Sequence, residues 1–218
     1  MKRRSLAIAL FAAACATGVL AQAQSALIEA AARGDLAGVR RLLDAGTPVN
    51  ARDSRGRNAV LAATQGGHTE VARLLIARGA DVNAQDDIRD SAFLLAGARG
   101  HTEIVRAALA AGADLASTNR YGGTALIPAC HYGHVDTVRL LLTTKIDVNH
   151  VNNLGWTALL EAVILGDGGA AHSEIVRMLV AKGADVNLAD REGVTPLQHA
   201  QRKGQQRVAE MLRQAGGR

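Results

Sequence analysis

The sequence predicts an all-α repeat solenoid of six stacked helix-turn-helix units joined by β-hairpin-like fingers, and three observations carry that prediction. Similar seven-residue blocks recur at a spacing of 33: SALIEAA from Ser25, NAVLAAT from Asn58, SAFLLAG from Ser91, TALIPAC from Thr124 and TALLEAV from Thr157, with TPLQHAQ following from Thr195 after a gap of 38. A glycine stands nine residues after each block opens, at Gly34, Gly67, Gly100, Gly133, Gly166 and Gly204. Aromatic residues make up only 2% of the chain, so Leu, Val, Ile and Ala must supply the buried area through many small, alike interfaces. Self-similarity at this period marks supersecondary units that cannot bury their apolar faces alone.

The first element is a leader. Lys2, Arg3 and Arg4 precede an apolar run from Leu6 to Leu20, and Ala21-Gln22-Ala23 is a small-x-small cleavage pattern. Residues 1–23 therefore read as a secretory signal peptide, which leaves 24–218 as the mature domain. The run is short of the roughly 20 residues that a retained span needs. Lipidation at Cys15 is a weaker alternative, because Ala12 stands three residues before it, where lipoproteins usually carry Leu. Removal of the leader takes three cations with it, and the net charge falls from +5 to +2. Nucleic-acid binding would need a basic stripe interleaved with stacking aromatics, and no such run is present. Cys130 is then the single remaining cysteine, so no intrachain disulfide can form.

Within each unit, the opening Ser, Thr or Asn can accept an orphan N–H of the following turn and so starts the first helix. Pro196 suits the first helical position because its missing N–H would have had no partner. Two residues after the cap stands Leu27, Val60, Phe93, Leu126, Leu159 or Leu197, and five after it an alanine: Ala30, Ala63, Ala96, Ala129, Ala162 and Ala200. A larger side chain in that alanine slot would push neighbouring helices apart. The glycine nine after the cap ends the helix in a left-handed conformation at little steric cost. A second helix with apolar residues at helical spacing then ends at Gly46, Gly79, Gly112, Gly183 or Gly216, and a short extended finger leads to the next cap.

These blocks resemble ankyrin repeats. The family pattern G-x-T-P-L-H-x-A-A-x-x-G-H, then an apolar helix, then L-L-x-x-G-A-D-V-N, is matched at Gly193 to Ala200, at Gly67-His68 and Gly100-His101, and at Gly183 to Asn187, and the likeness runs from 25 to 218. It divides the domain into repeats 25–57, 58–90, 91–123, 124–156, 157–194 and a C-terminal cap, 195–218. The motif histidine three after the cap is replaced by Ile28, Leu61, Leu94, Ile127, Leu160 and Gln198, so apolar packing should replace its polar link. Lys145 stands where the fourth repeat's second helix should end in glycine, and a left-handed Lys would cost roughly 1 kcal/mol or more, so that finger should leave its helix differently. In the fifth repeat, residues 167–171 are extra. They are expected to form a loop on the edge opposite the fingers, removable with little effect on stability or binding.

Catalytic chemistry finds little support. Six units use up the mature chain. His68, His101, His134 and His172 share one slot after the glycine, where a structural hydrogen bond is expected, and His150 and His199 are isolated. Cys130 and His131 are adjacent on a helix and point about 100° apart, so they cannot face one atom. No phosphate loop, paired-carboxylate spacing or zinc or calcium pattern occurs, so no metal or cofactor is expected.

If the stack resembles those of the ankyrin family, positions three and one before each cap, and seven and eight after it, line a concave face. They carry Arg55 and Arg57 near the first two repeats, Tyr121, His131 and Tyr132 at the fourth, and Leu154, Trp156 and Leu165 at the fifth. Three of the four aromatics of the mature chain fall there, and large aromatics are enriched at binding hot spots. The sequence therefore predicts a monomeric, non-enzymatic module exported to the cell envelope, such as a bacterial periplasm. It would bind another exported protein through this face to inhibit, protect or scaffold it, without inserting in a membrane. A small-molecule or metal binder using the His131 and Tyr132 region is the alternative.

Overall fold

The computed structural model describes residues 21–218, and the proposed leader, apart from its last three residues, and Cys15 lie outside them. Helices pair and stack in order: α1 (21–32), α2 (Leu36–Asp44), α3 (Ala59–Gln65), α4 (Thr69–Ala77), α5 (Ala92–Arg99), α6 (Thr102–Ala110), α7 (Leu126–His131), α8 (Val135–Leu141), α9 (Ala158–Ile164), α10 (Ala170–Ala181), α11 (Pro196–Arg202) and α12 (Gln206–Gln214). Odd-numbered helices pack on one another in one row and even-numbered helices in a second. Among the described residues no helix is long and apolar enough to cross a membrane.

The core is one continuous strip. All six alanines of the small slot are buried, as are Leu27, Val60, Phe93, Leu126, Leu159 and Leu197 two residues after each cap. Each such aliphatic or aromatic side chain contributes about 1.5–3 kcal/mol of burial. The expected apolar substitution of the motif histidine is also realised: Ile28, Leu61, Leu94, Ile127 and Leu160 are buried. Gln198 instead closes a capping box with Thr195. At Gly97, between α5 and α7, a Cβ would lie 2.8 Å from the Ala125 carbonyl oxygen, so the close approach of these helices requires glycine.

Four caps behave as expected: Asn58, Ser91, Thr157 and Thr195 accept the N–H of Leu61, Leu94, Leu160 and Gln198. Two do not. Ser25 lies inside α1, where its hydroxyl donates to Glu29. Thr124 is buried with its hydroxyl unpaired, and the cause is Pro128. Lacking an N–H, Pro128 cannot bond the Thr124 carbonyl, and Ile127 N–H bonds it instead at 3.2 Å, so that donor is lost to the cap.

The fingers are tighter than hairpins. Each is an Asx turn in which one side-chain oxygen, from Asp53, Asp86, Asn119, Asn152 or Asp190, accepts two backbone N–H groups, the second four residues on. Among the described residues there is one isolated antiparallel bridge, between Arg52 and Asn58, and backbone N–H groups of Asp87 and Asn153 donate to the Arg55 and Tyr121 carbonyls of the preceding finger. In the second finger the left-handed position that the other fingers give to glycine is taken by Arg89, φ 62°.

Two expectations about repeats four and five are corrected. Lys145 is not left-handed; α8 ends early, and the hydroxyls of Thr143 and Thr144 donate to the Leu140 and Leu141 carbonyls, so the finger does leave its helix differently but by another route. In the 167–171 segment, Ala170 and Ala171 form the first turn of α10, and the left-handed glycine is Gly168 rather than Gly166. The segment is also tied into the stack. Asp167 pairs with His172 at 2.9 Å, the Gly168 carbonyl accepts from Ser173, and Gly166 accepts from Lys203 and Gln205 of the next repeat. Removing 167–171 would take the Asp167 and Gly168 bonds with it and would shift Gly166, which carries the bonds to the next repeat.

Candidate functional site

The first helices and fingers of repeats three to five enclose a groove of about 340 Å³ on the concave side. Tyr121 comes from the third finger, His131 and Tyr132 from the end of α7, Leu154 from the fourth finger, and Leu165 from the end of α9. Six large hydrophobic residues among the described ones are well exposed, and four of them, Tyr121, Tyr132, Leu154 and Leu165, line this groove. The Asx turns set the rim: Asn119 holds the Tyr121 N–H and Asn152 the Leu154 N–H, both at 2.9 Å. The His131 and Tyr132 rings stack at 4.2 Å, and the Arg120 guanidinium lies 4.8 Å from the Tyr121 ring centre.

The other residues singled out in the sequence lie elsewhere. Trp156 is half-buried in its finger, with its N–H bonded to Asn152, and does not line the groove. Arg57 is held by two contacts to Asp53 at 2.8 Å and by Gln65, while Arg55 is exposed on the first finger. Neither arginine reaches the groove.

The groove also holds a residue that the sequence reading passed over. Glu161, on α9, is buried, and burial pushes its carboxyl up to about 7, against a lowering by the Asn152 amide that donates to Oε1 at 3.0 Å. Its Oε2 lies 3.5 Å from His131 Nδ1. Burial lowers the His131 pKa, with His172 adding to the effect, which disfavours a charged imidazole beside Glu161. Asp90, on the groove wall, is also raised by burial, opposed by Arg120 at 3.7 Å. The signal for Glu161 was its register: four residues after the cap, where the neighbouring repeats have Ala62, Leu95 and Pro128.

The remaining histidines hold the stack. Nε2 of His68, His134 and His172 bonds the carbonyls of Ala32, Ala98 and His131 in the preceding repeat, at 2.9–3.2 Å. His101, in the same slot, is the exception, with a buried and unpaired Nε2. His199 bonds Asp190 at 2.6 Å and His150 the Gly122 carbonyl at 2.7 Å. Cys130 is fully buried, and burial, with Glu161 beside it, pushes its thiol well up, so it is held as the unreactive thiol. Among the described residues no three His, Cys, Asp or Glu side chains come together in a metal-binding arrangement.

The chain is similar over 88% of its length to an ankyrin repeat domain from Acinetobacter baumannii AYE, at 51% identity, 98% coverage of that chain and a TM-score of 0.85. A second solved ankyrin repeat protein shares 41% identity over the same fractions, with a TM-score of 0.84. The ankyrin repeat domain of Bcl-3, a member of the IkappaB protein family, shares 27% identity over 88% of this chain and 86% of its own, with a TM-score of 0.77. An ankyrin repeat protein of Escherichia coli (strain K12), YahD, is 41% identical over 56 residues, which are 26% of this chain and 28% of YahD. The family model for ankyrin repeats (3 copies) matches residues 5–86, 92–190 and 151–217, and with the stacked helix pairs, the left-handed glycines and the inter-repeat histidine bonds it establishes that the chain belongs to the ankyrin-repeat family.

Proposed function

We propose that this chain is a non-enzymatic, monomeric interaction module of the cell envelope, such as a bacterial periplasm, that binds another exported protein through the concave face of repeats three to five. Ankyrin repeats are in general protein–protein interaction modules and typically carry no catalytic activity. The observation that carries the reading is the convergence of Tyr121, Tyr132, Leu154 and Leu165, exposed at 42–60%, on one groove built from rigid elements. Rigid repeat surfaces present such anchors with little ordering cost. The export part rests on the leader pattern at 1–23.

The test uses the mature chain as bait against the exported protein fraction. A partner held by the wild type should be lost with the double variant Tyr132→Ala, Leu154→Ala, whose helical circular dichroism stays unchanged. Retention of the same partner by that variant would remove the groove from the interface. Fractionation of the expressed full chain, with an N-terminus at Gln24 expected on the exported form, checks location separately.

A further inference from the structure

The floor of the groove carries chemistry that an apolar anchor would not use. The Glu161 side chain is 8% exposed and still borders the groove. Its Oε1 is occupied by Asn152, but Oε2 accepts no hydrogen bond from any described residue, the nearest donor being His131 Nδ1 at 3.5 Å. A carboxylate oxygen has about two lone-pair sites, which only solvent in the groove can meet here, and a partner that displaces that solvent without supplying a donor would leave them unmet at a cost. Asp90 supplies a second carboxyl on the wall, answered only by Arg120 at 3.7 Å. Around these acids stand apolar walls from Leu154, Leu165 and Ile127, and the Tyr121 and Tyr132 rings at the rim.

Resting on the concave-face reading above, we infer that the groove takes a basic side chain, arginine or lysine, from the protein partner, with its apolar stem against Tyr132 and Leu154 and its cationic head on Glu161. Such a side chain matches both halves of the site: a long aliphatic stem for the walls and donors for the unmet oxygen. Aromatic faces at the mouth favour a cation, as the Arg120 guanidinium over Tyr121 already shows. A purely apolar anchor would seal Glu161 Oε2 away from every donor, and an acidic one would face two carboxyls.

Selection of a random dodecapeptide library on the folded chain, followed by affinity measurement of the selected synthetic peptides, tests this. The selected peptides should share an Arg or Lys. Replacing that residue by Met should weaken binding to the wild type by about tenfold or more. Glu161→Gln, which keeps the Asn152 contact, should weaken the parent peptide equally and leave the Met peptide unchanged, the coupling that a direct pair produces. Selected peptides without a basic residue, or with equal affinity for wild type and Glu161→Gln, overturn the inference. If those peptides still need Tyr132, the concave-face reading stands; if they bind Tyr132→Ala unchanged, or if no peptide is enriched, that reading falls as well.

Discussion

At their helix caps, helix ends and buried apolar slots repeats two and three keep the rules of the stack, with Arg89 and the unpaired His101 as their exceptions, and repeats four and five break them. Asn58 and Ser91 cap their helices, whereas Thr124 is orphaned by Pro128. The second helices of repeats two and three end in left-handed Gly79 and Gly112, whereas α8 ends in a threonine-bonded turn before Lys145. Four residues after the cap, repeats two and three carry Ala62 and Leu95, both buried and apolar, whereas repeat five buries Glu161. The regular region shows what stability alone selects. The departures cluster where the exposed aromatics are, which is where a protein carries local cost for binding.

Glu161 gives the largest expected break in that comparison. A shift from 4.5 to about 7 corresponds to about 3 kcal/mol at about 1.4 kcal/mol per pK unit, reduced to about 2 by the solvent that reaches the groove. Between pH 4.5 and about 7 the native state holds a proton that the unfolded chain has released, so stability falls as pH rises through this window and stays lowered above it. His131, whose pKa burial lowers, contributes the opposite slope near its ordinary value, so the informative quantity is the difference between variant and wild type. Glu161→Gln should raise the melting temperature by about 4–8 °C at pH 8 and leave it unchanged at pH 4. Equal melting temperatures at both pH values would show that the carboxyl is not strained by burial. A variant that is more stable at pH 8 yet binds selected peptides less well also separates lost binding from lost fold.

Most of the fold was legible in the sequence because the repeat supplies six readings of each position. The alanine slot, the aliphatic position two after the cap and the inter-repeat histidines were all set by register alone. What escaped depended on one repeat or on relations between repeats. Pro128 occurs in this slot in one repeat alone, and its missing N–H moves the Ile127 bond and so empties the Thr124 cap. Gly166 fitted the glycine register, but α9 stops at Ile164 and the chain turns left-handed at Gly168, so counting from the cap failed once residues were inserted. Trp156 was singled out by its place one residue before the cap and its aromatic ring, yet it is half-buried in the finger and does not line the groove, while Glu161 lies on a helix position outside the expected contact register.

The two caps of the irregular region sharpen the comparison at smaller cost. Thr157 accepts the Leu160 N–H at 3.2 Å, so Thr157→Ala should lose about 1 kcal/mol in urea unfolding. Thr124→Ala removes a buried hydroxyl with no partner and should leave stability at, or slightly above, the wild type. Equal losses at the two sites would show that Thr124 caps its helix in solution and that Pro128 does not displace the bond.

The smallest expected effect lies at the seam between repeats three and four. Elsewhere one Asn per finger bridges to the next repeat: Asn50 Oδ1 accepts the Asp81 N–H at 2.7 Å, Asn83 that of Asp114 at 2.9 Å, and Asn149 that of Asp185 at 2.8 Å. Asn50 and Asn83 also donate to the Gly79 and Gly112 carbonyls at 3.1 Å. The same position before repeat four is Ala116, which has no group to offer Asp147. Ala116→Asn should restore that bridge and, because the site is exposed, add only about 0.5–1 kcal/mol, read as a higher urea midpoint at unchanged slope. In a quasi-one-dimensional stack each interface adds to its neighbours, so a bond gained at this seam, which His134, His150 and the Thr102–Thr137 pair already bridge, should protect the adjoining repeats first. Hydrogen exchange should therefore slow in α7 and α8 of the variant more than in α3 and α4; a uniform change would show that the added Asn does not act at this seam.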